Sequence, residues 1–394
     1  MNRKRTNGWY MAGSGNNGEK KVKRRTGFKR RVVMFLVILI SGFAVFFLYR
    51  HLSEDRGRTD IGRVTRVATT LKQQIRLTED RILFYDGATL HCVSPSGNAE
   101  WSYQVGANAA YSVNGNRIAA WSGNDVYIMN DRGRLIYNNR MEDAIQFASI
   151  GEEFAAIFTG ETDSGIVTVV NSDGQTVDKI QIDNLTLLNI GFFRAATSAS
   201  GTQKTEIMWI LGINTTGTVI ETELQTYQPG RLSIGRTNLG EHLAYRVFDD
   251  GNGNLNVVTT REIRHYNYRG VSVGDPTLIY GYIAQDIKWA GSKQMTLLLP
   301  ETDIERGMKI ESIRFLSGTI DRMLRLPGSC MDARLGSRCI YAFGSHEIFA
   351  CRYEDTTFTP FAVPITITGV IGMLSGNRAV VTYDNDIYVI EMPM

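Results

Sequence analysis

From residue 61 to residue 394 the apolar residues fall in short runs of four to seven, rich in Ile, Val, Tyr, Phe and Thr and separated by clusters of Gly, Asn, Asp and Ser. Runs of that length with that punctuation are strand and turn signals. No ten-residue stretch there shows sustained helical spacing of apolar positions between caps, so a nearly all-β domain is expected. The amino-terminal part reads differently. Between Arg31 and Arg50 lie eighteen residues, Val32 to Tyr49, with no charge and only Ser41 and Gly42 interrupting the apolar run. At ~1.5 Å rise per residue they make ~27 Å of helix, enough for a hydrocarbon core of ~30 Å when flanking side chains snorkel. The run is followed by Arg50, His51 and Leu52 instead of a small-x-small cleavage site, so an uncleaved single-pass anchor is expected.

Self-similarity sets the expected architecture of the β region. Gly115, Asn116, Arg117, Ile118 and then Asn124, Asp125, Val126, Tyr127, Ile128 match Gly376, Asn377, Arg378, Ala379 and Asn385, Asp386, Ile387, Tyr388, Val389 at one constant offset of 261, without gaps. An offset of 36 relates Arg117, Ile118 and Gly133 to Arg81, Ile82 and Gly97, and places Tyr137 on Trp101. Taking Ile82, Ile118, Phe154, Ile207, Leu255, Met295, Ile340 and Ala379 as equivalent strand positions gives a mean interval of about 42. Periods near ~40 with several short strands per unit are the mark of a propeller blade, whose sheet buries its faces only against its neighbours. Eight units predict an all-β, eight-bladed β-propeller, with seven blades as the alternative, preceded by one transmembrane α-helix.

Blade two reads as strands near 109–113, 117–121, 126–129 and 135–137, with turns at Asn114-Gly115-Asn116, Gly123-Asn124 and Asp131-Arg132-Gly133. The eighth unit has no room for an outer strand. The unassigned β-rich stretch 62–70 is expected to fill that place, closing the ring and removing a sheet edge. The expected division is a basic, mostly disordered cytoplasmic tail over 1–31, the helix over 32–49, a linker over 50–60 and the propeller over 61–394.

The run from Leu90 to Trp101, with Gly97 four residues before Trp101, resembles the repeat of quinoprotein-like propellers. Blade two keeps Gly133 but has Tyr137, and blade three keeps Gly174 but has Asp178. The resemblance spans roughly 61–394 and speaks to architecture, not activity. The layout also resembles clostridial families of single-pass, membrane-anchored propellers of unknown function, which implies a Gram-positive cell surface and an interaction role.

Charge sharpens the topology. Residues 1–31 hold eleven Lys/Arg and one Glu, and the remaining 363 residues hold 32 basic and 39 acidic residues. Basic residues adjoining a membrane helix stay cytoplasmic, so the amino terminus is expected inside and the large domain outside the cell. A polybasic arm for anionic lipid or nucleic acid is the sharper reading of the tail, and topology alone accounts for it. The acidic body argues against a nucleic-acid partner.

Catalytic chemistry is sparse. The five His, at 51, 91, 242, 265 and 346, form no metal-ligand pair, and neither a nucleophile elbow nor a phosphate-binding loop occurs. No cofactor is expected. Hard cations want several oxygens on one tight turn, which makes Asp249, Asp250, Asn252 and Asn254 a calcium candidate that resembles integrin-type loops, though Phe248 stands where the first carboxylate belongs. The alternative is a polar hairpin turn. Were Gly344-Ser345-His346 a three-residue loop, Cys339 and Cys351 would face each other across neighbouring strands as a disulfide candidate. Trp101, Trp121, Trp209 and Trp289 read as sugar-stacking platforms or, more simply, as blade packing.

The expected function is a non-catalytic, membrane-anchored binding or scaffolding module. Its partner would be a protein or cell-wall component outside the membrane, with Val32 to Tyr49 in the bilayer. The alternatives are an enzyme of quinoprotein, lyase or glycosidase type at the central channel, marked by charged groups converging from several blades, and a sensor acting through a membrane partner.

Overall fold

The computed structural model describes residues 34, 39–43, 59–197, 204–231, 233–240, 242–290, 293–301 and 309–392. It divides into two units, 1–58 and 59–394. In the first, the described residues Met34 and 39–43 are helical and exposed. The rest of the expected anchor over 32–49, the tail over 1–31 and the linker as far as residue 58 lie outside the described residues. No helix among the described residues is long and apolar enough to cross a membrane.

The second unit is eight antiparallel sheets in chain order. Blades one to eight span 74–104, 110–140, 145–183, 186–238, 244–278, 282–330, 332–362 and 369–391. In blades one to seven the four main strands run in sequence, and first strands of neighbouring blades lie against one another at the seams of blades two and three, three and four, six and seven, seven and eight, and eight and one. Seven of the eight repeat positions fall within second strands, from Ile82–Tyr85 through Arg117–Ser122 to Arg378–Tyr383; Phe154 lies one residue ahead of its strand, Ala155–Gly160.

Second strands such as Ile82–Tyr85 and Cys339–Phe343 are buried at every position, because neighbouring blades cover both faces. Fourth strands such as Ala99–Gln104 alternate toward solvent. The eight hydrophobic clusters accordingly lie at the eight seams. Among the described residues the seam between blades five and six is the thinnest. Its buried set is Val258, Ile263, Ile279, Ala284 and Leu298, against fourteen buried residues between blades six and seven.

The ring closes as the sequence implies. Val64–Thr70 pairs antiparallel with Asp386–Glu391 as the outer strand of blade eight, Val64 opposite Ile390 and Val67 opposite Ile387. Just upstream, Thr59–Asp60 adds in parallel to Thr359–Ala362 as a fifth strand of blade seven, so β structure begins inside the expected linker.

The Gly-Trp motif works between blades, not within one. Gly133, in the last turn of blade two at φ 74°, sits under the indole of Trp101 from blade one, where a Cβ would come within 2.6 Å of the ring. Trp101 Nε1 donates to the carbonyl of Asp131 in that turn, 2.8 Å. Gly174 of blade three is covered by Tyr137 of blade two in the same way. Where the aromatic is lost the latch persists with other chemistry: the carboxylate of Asp178 accepts from Gly230 N at 2.6 Å, joining blades three and four.

Candidate functional site

In each blade the hairpin between first and second strands and the turn between third and fourth lie at one end of the ring. The remaining turns and the connections between blades lie at the other. At the first end, hairpins of blades eight, one, two and three converge on a cavity of 710 Å³ lined among others by Glu79, Asp80, Arg81, Asp131, Glu152 and Ser375. Its charges answer one another. Arg81 bonds Glu100 at 2.6 Å, Asp131 at 3.1 Å and Asp80 at 3.3 Å, while Glu152 bonds Arg194 at 2.7 Å.

Beneath Glu152 lies a pair that sequence reasoning missed. The hairpin turn 151–154 of blade three is gripped from both sides. Arg117 of blade two donates from Nη1 to the carbonyls of Gly151 and Glu152 at 3.2 and 3.0 Å. Glu206 of blade four accepts from the backbone N–H of Glu152, Glu153 and Phe154 at 2.6, 2.8 and 2.9 Å. Glu206 is 1% and Arg117 6% exposed, and burial raises the carboxyl pKa and lowers that of the guanidinium. Their signal was present: each is a charge at the start of a hydrophobic second strand, just before Ile118 or Ile207.

The candidate calcium residues do form one turn, and the turn satisfies itself. Asp250 Oδ1 accepts from the N–H of Asn252 and Asn254 at 2.8 Å each, Asp250 Oδ2 from Asn254 Nδ2 at 2.7 Å, and Asp249 Oδ1 from Gly251 N at 2.6 Å. Desolvation raises the Asp249 pKa. No group of three or more His, Cys, Asp or Glu able to hold a metal occurs among the described residues.

The cysteine pairing is corrected by one residue of register. The connecting loop has two residues, Ser345-His346, closed by Gly344 N donating to Glu347 O at 2.8 Å. Cys339 therefore faces Arg352, and Ile340 faces Cys351, which puts the two thiols on opposite faces of the sheet. Both are free, and burial pushes Cys351 up to about 11, an inert thiol. Of the tryptophans, Trp209 is 6% exposed in the seam of blades four and five, Trp121 half-buried beside that of two and three, and Trp101 the latch above. Trp289, 36% exposed, lies over Gly251.

One sector stands apart in apolar exposure. Fifteen large apolar side chains are exposed among the described residues of 59–394, and twelve of them fall between 186 and 330, blades four to six and their connections. Tyr280 is 77% exposed, with Leu278 and Ile220 at 64% each. Polar contacts tie part of this set together. Arg314 donates to the carbonyl of Leu278 at 2.7 Å and lies over the Tyr282 ring, whose hydroxyl meets the Met323 sulfur at 3.4 Å. Ile279 N donates to the carbonyl of Arg261 at 2.8 Å, joining Tyr280 to a 580 Å³ recess lined by His242, Leu243, Thr260, Arg261 and Arg264.

No protein-family model and no curated protein sequence matches the chain. Solved structures do. A Dos1 propeller aligns with a TM-score of 0.52 at 10% identity, covering 84% of this chain and 94% of its own. BamB from Moraxella catarrhalis gives 0.50 at 9%, covering 84% and 97%, and a eukaryotic initiation factor gives 0.50 at 12%, covering 84% and 89%. The likeness is one of fold. It joins this chain to β-propellers, and at such identities it carries no activity across.

Proposed function

We propose that the protein is a non-catalytic binding or scaffolding module, held at the cell membrane by residues 32–49 with its amino terminus cytoplasmic and its propeller outside. On this reading it grips a protein partner through blades four to six. The observation that carries it is the set of exposed apolar side chains at the end of the ring that bears the connections between blades, Leu243, Tyr245, Leu278 and Tyr280 among them. The resemblance to clostridial membrane-anchored propellers supports the location. The test is site-specific photocrosslinking in native membranes, with benzoylphenylalanine at position 280 or 243 and, as a control, at position 136 on blade two. Partner adducts at 280 and 243 but not at 136 are expected; adducts at 136 alone would refute the sector. Protease added to intact cells should remove the propeller and spare the tail.

A second reading rests on the 710 Å³ cavity, where charged groups from three blades converge as a channel enzyme would need. Binding remains the better reading because Asp80, Asp131 and Glu152 are engaged by Arg81 or Arg194. Turnover abolished by Glu79→Gln, in a screen of glycosides and uronates, would reverse that preference.

A further inference from the structure

We infer that the sector on blades five and six receives a peptide segment of a partner protein that combines apolar side chains with carboxylates. The inference rests on the binding reading above and adds the chemistry of what is bound. Charge is the deciding observation. The propeller, residues 59–394, carries 29 Lys/Arg against 37 Asp/Glu, yet residues 244–330 carry 11 against 10. The apolar sector is thus an island of balanced-to-basic charge on an acidic body, and complementarity there favours an acidic visitor.

Local geometry gives the carboxylate a destination. In the recess beside Tyr280, Arg264 is already paired with Glu262, whereas Arg261 is exposed and has no ion pair among the described residues. Its backbone carbonyl is bonded to Ile279, so its guanidinium is rooted one residue from Tyr280. A segment laying an aromatic or aliphatic side chain over Leu278 and Tyr280 places an adjacent Asp or Glu within reach of Arg261. Planar guanidinium recognition of a carboxylate supplies direction, and the apolar contact supplies most of the affinity.

The experiment selects a phage-displayed random dodecapeptide library on the immobilised full-length chain in detergent, then measures the enriched peptides by fluorescence anisotropy against wild type and variants. Enriched peptides should unite aromatic or aliphatic residues with Asp or Glu. Their Kd should rise about tenfold or more for Arg261→Glu and for Leu278→Asp/Tyr280→Asp, and also with added salt. Binding lost in the double variant but unchanged in Arg261→Glu would overturn the acidic chemistry and leave the binding sector standing. Peptides indifferent to both variants, or no enrichment at all, would overturn the sector as well. In nanodiscs of brominated phosphatidylglycerol, extra fluorescence quenching of Tyr280→Trp relative to wild type would put this surface against lipid and refute a peptide occupant.

Discussion

Gly133 shows how much one missing methyl group decides. Its positive φ and the indole of Trp101 above it both exclude a side chain, so Gly133→Ala should cost about 2–4 kcal/mol, from backbone strain and overpacking together. Trp101→Ala should cost a similar ~2–4 kcal/mol through lost packing and the orphaned Asp131 carbonyl. The double variant should lose clearly less than the sum, because the clash vanishes with the ring; urea denaturation of all four proteins measures that coupling. Glu206 makes a different claim. Setting an amide NH2 against backbone N–H groups that now donate to both carboxyl oxygens should make Glu206→Gln less stable by about 1–3 kcal/mol. Because burial holds its folded pKa above 4.5, the native state binds the proton longer than the unfolded chain, and wild-type stability falls as pH rises through that window. The gap between wild type and Glu206→Gln should therefore narrow as pH rises above 4.5 in parallel unfolding curves, and a gap that widens would contradict the assignment.

At the scale of elements, the amino-terminal strand matters most. Val64–Thr70 supplies the last hydrogen-bonded partner in blade eight, and Ile61 just before it is buried between blades seven and eight. Deleting 59–70 should expose the edge of Asp386–Glu391, lower the Tm by 10 °C or more on an order-of-magnitude basis, and promote association; unchanged thermal unfolding would contradict the closure. This element was legible in the sequence, since a missing strand at one end and a surplus strand at the other are visible in the repeat itself. So were the second strands, whose burial on both faces writes unbroken apolar runs such as Ile82 to Tyr85. The cysteine register was not legible. It turned on whether the loop after Phe343 holds two residues or three, and no side-chain pattern distinguishes them when both faces of Cys339–Phe343 are buried. Nor was the latch partner of Gly133 visible, because nothing local says that the ring above it comes from the preceding blade.

For the molecule as a whole, symmetry is broken in one place. The apolar sector was illegible in the sequence, because Leu278 and Tyr280 sit in a strand-and-turn pattern indistinguishable from those whose apolar residues turn inward; only the two-residue outer strand Thr277–Leu278 leaves them uncovered. If that surface serves binding and not folding, Leu278→Asp/Tyr280→Asp should shift the Tm by no more than about 2 °C, as calorimetry would show, while changing what the protein captures. The same sector holds the seam with five buried residues, and a closed ring yields at its poorest joint. Deuterium uptake should accordingly begin in strands Glu262–Asn267 and Tyr282–Ala290, well before the joint between blades six and seven exchanges. A visitor bridging blades five and six would act as a staple there, slowing exchange across the whole circumference by fastening the two sheets that part first.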